Sequence, residues 1–214
     1  MIDEKNLQLL ERSWRRSFLT YPFFSQNQCS DSLFAQLLKA YSESQRKYHT
    51  LQHLMECLTK FERVFEQTDH PREIEVALWF HDAIYDVKGH DNERLSAAWA
   101  KKSVLDVGGA IAESDRIYHL IMITQHSAFP QTIDEKILVD IDLSILGETE
   151  ERFAEYDRQV RQEYAWVADE IFKEKRREIL EGFLARPQIF NSEYFFTHFE
   201  RSARKNLKRA ISQL

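Results

Sequence analysis

Apolar residues recur every three or four positions along most of the chain, whereas the alternating pattern typical of β-strands is scarce. The clearest run joins Leu51, Leu54, Leu58, Phe61 and Phe65, which would line one face of a helix. Only 5 Gly and 4 Pro interrupt the 214 residues. The pattern therefore predicts an all-α protein.

Capping residues predict where several helices begin. Pro71 suits the first turn of the helix that carries "VALWFHDAIY". Thr132 with Glu135 has the spacing of a capping box, and Thr197 with Glu200 repeats it. We therefore expect one helix to begin near Thr132 and the last helix to begin near Thr197.

The C-terminal part differs from the rest because its predicted helices are long and charged. Apolar spacing places two of them at roughly 149–166 and 169–185. No internal repeat, low-complexity tract or clear linker separates them from what precedes. We predict a single domain over 1–214, with a core at about 30–147 and a helical extension at about 148–214.

Two segments are apolar on nearly every face, "VALWFHDAIY" and "ILVDIDLSIL". A helix of this kind is normally central and buried. Nevertheless the first contains Asp82, and the second contains Asp140 and Asp142. A buried carboxylate without a partner costs several kcal/mol. An arginine, a set of hydrogen-bond donors or a metal ion must therefore compensate it.

Histidines favour the metal ion. His49 and His53 are four residues apart in "YHTLQHL", which predicts a shared helix face away from the apolar stripe. Together with His81-Asp82 and one acid of "DID" they form a nitrogen and oxygen ligand set, which suits Mn, Fe, Co, Ni or Zn and tolerates Mg. Adjacent His81 and Asp82 would converge on an ion from a crevice between helices. The alternative is solvent-facing histidines and acids paired with arginines.

Composition and charge narrow the class of partner. The formal net charge is -6, which argues against extended nucleic acid or anionic membranes as partners. The N-terminus is charged from its third residue, unlike a signal peptide, and no apolar stretch approaches the ~20 residues of a membrane span. Cys29 and Cys57 form no CxxC motif and are predicted to be reduced thiols. We therefore expect a cytoplasmic protein.

The order His, His-Asp, Asp on helices resembles the HD superfamily of metal-dependent phosphohydrolases. More closely, the chain is similar to a family of small predicted HD phosphohydrolases. The resemblance runs from about Tyr48 to the C-terminus and rests on "YHTLQHLMECL", "LWFHDAIYD", "NERLSA", "ITQH", "DIDLSILG", "VRQEY" and "ARKNL". It implies an HD-domain helical bundle with additional C-terminal helices. It also implies a divalent metal cofactor of one or two ions.

The resemblance assigns roles to individual residues. His81 and Asp82 match the HD pair, as metal ligands and as the catalytic centre, with Asp82 also orienting a water molecule. Asp142 matches the final aspartate ligand because it precedes "LSILG". Asp140 is then either a supporting acid beside the site or an ordinary helix residue.

The other histidines have alternative roles. We prefer His53 as the first metal ligand and place His49 near the substrate or also near the metal. A helix is expected to run from Ser114 to Pro130, which would put His119 and His126 on one face. Of these two, His126 is the candidate for a second metal ion or a phosphate contact.

The function implied by the resemblance is hydrolysis of a small phosphorylated substrate, for which a nucleotide is preferred, by a metal-activated water. Arg161 and Arg204 lie in the family-like stretches and are predicted to bind the substrate. Two alternatives remain open, a di-iron oxygenase of the same fold and a non-catalytic module that senses a ligand. A homodimer is compatible with the sequence.

Overall fold

The structure, a computed structural model, describes residues 4–24 and 29–214, without the side chains of residues 29–31. These residues form ten α-helices and no β-strand, which confirms the predicted all-α class. The helices are α1 (Glu4–Phe18), α2 (Cys29–Ala40), α3 (Leu51–Val64), α4 (Pro71–Phe80), α5 (Asn92–Asp106), α6 (Ile111–Ile123), α7 (Ile133–Leu143), α8 (Glu150–Glu163), α9 (Asp169–Ala185) and α10 (Glu193–Gln213). Short 3₁₀ turns follow α3 at Phe65–Gln67 and α7 at Ser144–Gly147.

The first capping box forms as predicted. The Glu135 N–H donates to Thr132 Oγ1 at 3.2 Å, and the Thr132 N–H donates to Glu135 Oε2 at 3.3 Å. Pro71 occupies the first turn of α4, also as predicted. Local sequence therefore sets the beginning of α4 and α7.

Two other helix predictions are wrong. The helix α10 begins at Glu193, so Thr197 is an interior residue, and Glu200 instead accepts from the main-chain N–H groups of Ile189 and Phe190. The helix α6 ends at Ile123 and does not reach Pro130. The His126 backbone beyond it has a φ of 55°, which is incompatible with a continuing α-helix.

The chain divides into two compact units, residues 1–138 and residues 139–214, and the division falls within α7. The single domain with a C-terminal extension stays a prediction. No helix in the described ranges is both long enough and apolar enough to cross a membrane.

The core of the first unit surrounds α4, which packs against α1, α3, α5 and α6. The residues from Val76 to Phe80 are all fully buried, as the "VALWF" pattern predicts. Trp79 donates its indole N–H to Ser13 Oγ at 2.9 Å and meets the Trp14 ring edge-on at 5.3 Å between centroids. These contacts fix α4, and with it the turn that follows Phe80.

The core of the second unit lies between α10, α9 and the 3₁₀ turn Ser144–Gly147. Gly147 lies so close to α10 that a Cβ atom there would stand 2.7 Å from Phe199 Cβ. The Asn206 amide donates to the carbonyls of Leu146 at 3.0 Å and Glu148 at 2.9 Å. The end of "DIDLSILG" is therefore held against α10 by close packing and hydrogen bonds.

Candidate metal centre

The HD pair lies in the turn that ends α4. The helix stops at Phe80, the His81 N–H still donates to the Ala77 carbonyl at 2.8 Å, and the Ala83 N–H closes a tighter turn on the Phe80 carbonyl at 2.9 Å. The expectation that His81 and Asp82 both lie on the helix is thus wrong. The turn explains how adjacent side chains face the same side.

Only one of the paired histidines lies on α3. The helix begins at Leu51, and the Thr50 side chain caps it by accepting from the Gln52 N–H at 3.3 Å. His53 lies in the first turn, whereas His49 precedes the cap. The predicted shared helix face is therefore wrong, and the two rings are 6.0 Å apart between centroids.

Three polar side chains converge where α3 meets the end of α4. His53 Nε2 lies 3.1 Å from His81 Nε2, and Asp82 Oδ2 lies 3.0 Å from His81 Nε2 and 3.4 Å from His53 Nε2. Both imidazoles are buried, and the Asp82 side chain is 18% exposed. We call His53, His81 and Asp82 the His–His–Asp cluster.

The environment of His81 leaves its Nε2 lone pair directed into the cluster. The Leu78 carbonyl accepts from His81 Nδ1 at 2.8 Å, so a neutral His81 carries its proton on Nδ1. Asp82 Oδ2 is likewise an acceptor, and it has no hydrogen-bond donor among the described residues. A neutral His53 can donate a proton from its Nε2 to either acceptor, or a cation can lie among the three atoms.

The electrostatics of Asp82 also favour positive charge beside its carboxylate. Burial raises the pKa of the Asp82 carboxyl, but positive charge on neighbouring imidazoles, foremost that of His81, holds it well below its usual range. The carboxylate is therefore stable as an anion only while positive charge remains beside it. A bound metal ion would supply that charge without protonating the imidazoles.

The spacing of the cluster fits ligands that share one divalent ion. Donor atoms about 2.1 Å from an ion are about 3.0 Å apart at octahedral angles and about 3.4 Å apart at tetrahedral angles. The observed separations of 3.0, 3.1 and 3.4 Å span this range. His53 and His81 belong to a group of His, Cys and Asp side chains that could hold a metal ion, and Asp82 is added on its distances alone. The identity of the metal stays a prediction.

Cys57 adds a thiol that the sequence reasoning did not place at the site. It lies one turn after His53 on α3, is 2% exposed, and its Sγ stands 3.7 Å from both ring nitrogens of His53. The i, i+4 spacing from His53 was the available signal. No disulfide involves Cys57 in the described part of the chain. The side chain of Cys29 lies outside the described residues.

Aromatic rings border the cluster on the side of His49. The His49 ring stacks on Tyr85 at 4.2 Å, and the buried Tyr48 ring lies 4.7 Å from His53. The His49 ring is therefore close to the cluster, 6.0 Å from the His53 ring between centroids. The choice of His53 as the first ligand, with His49 near the substrate or also near the metal, stays a prediction.

Asp140 has a structural role in the second unit. Its fully buried carboxylate accepts from the main-chain N–H groups of Asn191 and Ser192, from the Asn191 amide and from the Ser192 hydroxyl, at 2.7–3.0 Å. Ser192 directly precedes α10, so Asp140 fixes the beginning of that helix. Asp142 lies in the last turn of α7, and its role as the final ligand stays a prediction.

The predicted substrate-binding arginines make structural contacts within the second unit. Arg161 donates to the carbonyls of Tyr164 at 2.7 Å and Val167 at 3.1 Å. Arg204 pairs with Glu200 at 2.7 Å and donates to main-chain carbonyls that follow α9. Their role in substrate binding, and that of His126 in the turn after α6, stay predictions.

No family model, curated protein or solved structure matches this chain. The HD resemblance therefore stays an expectation from the sequence.

Proposed function

We propose that the protein is a metal-dependent phosphohydrolase of a small phosphorylated substrate, for which a nucleotide is the preferred candidate. The convergence of His53 Nε2, His81 Nε2 and Asp82 Oδ2 within 3.4 Å is the observation that supports it most directly. The ordered pattern of the sequence, His then His-Asp then Asp, agrees with this chemistry. The choice of a nucleotide rests on the resemblance alone.

When bound, a divalent ion lowers the pKa of a coordinated water and neutralises charge on a phosphoryl oxygen. The chain's own contribution is to hold donor groups ready. His81 is fixed by the Leu78 carbonyl, so its Nε2 lone pair needs no reorientation to bind an ion. Asp82 supplies a negative ligand and an oxygen that can accept a proton from water.

The donor set favours certain metals. Two neutral imidazoles and a carboxylate suit Mn, Fe, Co, Ni or Zn, and Mg is tolerated less readily because it prefers oxygen ligands. No second group of three or more His, Cys, Asp or Glu donors comes together in the parts of the chain that the structure describes. A single ion is thus the simpler proposal, and the di-iron oxygenase is not favoured by any observation. The sequence adds Asp142 to the proposed ligands.

A hydrolysis screen tests the function. Purified protein, stripped of metal and then supplied with each divalent ion, is assayed on nucleotides and sugar phosphates. Asp82→Asn should lower activity by about 10³-fold or more, because it removes a negative ligand from the centre. Asp106→Asn, a change at a surface carboxylate that is 58% exposed, is the matched control. Equal activity in the Asp82 variant and wild type would refute the assignment.

A further inference from the structure

Arg46 stands out because it is a buried cation in the loop between α2 and α3. Its side chain is fully buried, although arginine is seldom buried without partners. The guanidinium pairs with Glu43 at 3.1 Å and lies over the rings of Tyr41 and Tyr85 at 5.3 and 5.4 Å. The sequence did not single it out, since an arginine in the polar stretch "SESQRK" is usually solvated.

The other donors of Arg46 reach main-chain carbonyls on two separate segments. Nη1 donates to the His49 carbonyl at 3.1 Å and to the Asp82 carbonyl at 2.6 Å, and Nη2 donates to the Ala83 carbonyl at 3.0 Å. His49 precedes α3, and the other two residues lie in the turn after α4. One side chain thus ties together the two segments that flank the His–His–Asp cluster.

We propose that Arg46 is a positioning residue of the metal centre, which sets the distance between the Asp82 carboxylate and the two imidazoles. The inference rests on the proposed metal centre. A hydrogen bond to the Asp82 carbonyl, with another to the next carbonyl, fixes the main chain on which that carboxylate stands. Without Arg46 these carbonyls would be buried acceptors with no donor, and the turn would rearrange towards water.

Arginine is suited to this role in a way that lysine is not. Its planar fork presents several N–H groups in fixed directions and stays charged when buried. A lysine ammonium at the same place is a single point charge that cannot reach all three carbonyls with the same geometry. The Arg46→Lys variant should therefore retain the charge and lose part of the positioning.

The experiment measures metal affinity separately from folding. Zn²⁺ and Mn²⁺ binding are measured by calorimetry on metal-stripped wild type, Arg46→Lys and Arg46→Gln, each shown to be folded by circular dichroism and thermal melting. Affinity should fall by about 10–100-fold in Arg46→Gln, as for other residues that orient metal ligands, and by less in Arg46→Lys. Arg94→Gln, at a side chain 51% exposed, should bind as wild type.

The outcomes separate this inference from the proposed function. Wild type that binds no divalent ion would refute the metal centre itself. Wild type that binds, with both Arg46 variants folded and binding equally well, would overturn the positioning role alone. If neither variant folds, Arg46 serves the fold in general and the inference fails. If the Arg46 variants melt at a lower temperature but bind metal with unchanged affinity, the inference fails in the same way.

Discussion

Asp82 and Asp140 both lie in apolar segments of the sequence, yet the structure gives the two acids different surroundings. In the first unit, Asp82 Oδ2 faces the Nε2 atoms of His53 and His81 at 3.4 and 3.0 Å. In the second unit, the Asp140 carboxylate accepts five hydrogen-bond contacts from Asn191 and Ser192. One acid faces groups that can bind an ion, whereas the other is already supplied with donors.

The comparison shows that burial alone does not identify a ligand. Asp140 is the more deeply buried of the two, and burial raises its pKa, an effect that hydrogen bonds from Asn191 and Ser192 offset only in part. The pKa of Asp82 is instead held well below its usual range by neighbouring imidazoles. What the carboxylate faces, rather than how deeply it lies, separates a candidate metal ligand from a structural acid.

The largest expected effect comes from making the same substitution at both acids. Asp82→Asn should lower metal affinity and reduce activity by about 10³-fold or more, because it removes a negative ligand. Asp140→Asn should retain the metal content of any protein that folds, because Asp140 has no role in the cluster. Elemental analysis of both purified variants checks this. Loss of metal in the Asp140 variant alone would reverse the assignment.

The next largest expected effect is on the free energy of unfolding, when Asp140 is replaced by alanine. Asp140→Ala removes the acceptor of the main-chain N–H groups that precede α10 and should lower the free energy of unfolding by about 3–5 kcal/mol. Urea unfolding followed by circular dichroism measures the change. Asp169→Ala, at an exposed surface acid in the same unit, should alter stability little and serves as the control. A small loss in the Asp140 variant would mean that water replaces the carboxylate.

The sequence predicted the fold where local chemistry decides the structure. The capping box at Thr132 and the proline at the start of α4 depend only on residues within one turn, and both formed as predicted. The Thr197 capping box did not, because Glu200 is used to bind the N–H groups of Ile189 and Phe190. A spacing pattern cannot show that a tertiary contact competes for the same carboxylate.

The candidate site was predicted only in part, because several of its features depend on tertiary contacts that a sequence pattern does not record. Histidine and aspartate in a buried segment indicated a metal centre, but not that α4 ends at Phe80 and so lets His81 and Asp82 face one side. Arg46 was missed because its partners are main-chain carbonyls, which no side-chain pattern records. Asp140 was left ambiguous because its donors lie about fifty residues further along the chain.

Acidification should distinguish the cluster from the Asp140 site. Imidazoles bind an ion only when neutral, so protons compete with metal below about pH 7. The Asp82 carboxylate stays charged in this range, since its pKa lies well below the usual value. Metal affinity should therefore fall as the pH is lowered, because protons compete with the ion for the imidazole nitrogens. Binding titrations at several pH values measure it, and a flat profile would exclude histidine ligands.

The smallest expected effect on metal affinity is that of replacing Cys57, which tests whether the thiol is a metal ligand. Equal distances of 3.7 Å from Sγ to both ring nitrogens of His53 place the sulfur off the axis of the Nε2 lone pair. We expect the thiol to pack against the ring without binding the ion. Cys57→Ser should then change metal affinity by much less than the about 10–100-fold loss that follows when a residue that orients a metal ligand is removed. The Co²⁺ form of wild type should lack the near-ultraviolet charge-transfer band of a thiolate ligand. Such a band in wild type, absent from Cys57→Ser, would instead make Cys57 a ligand and the centre one suited to softer ions.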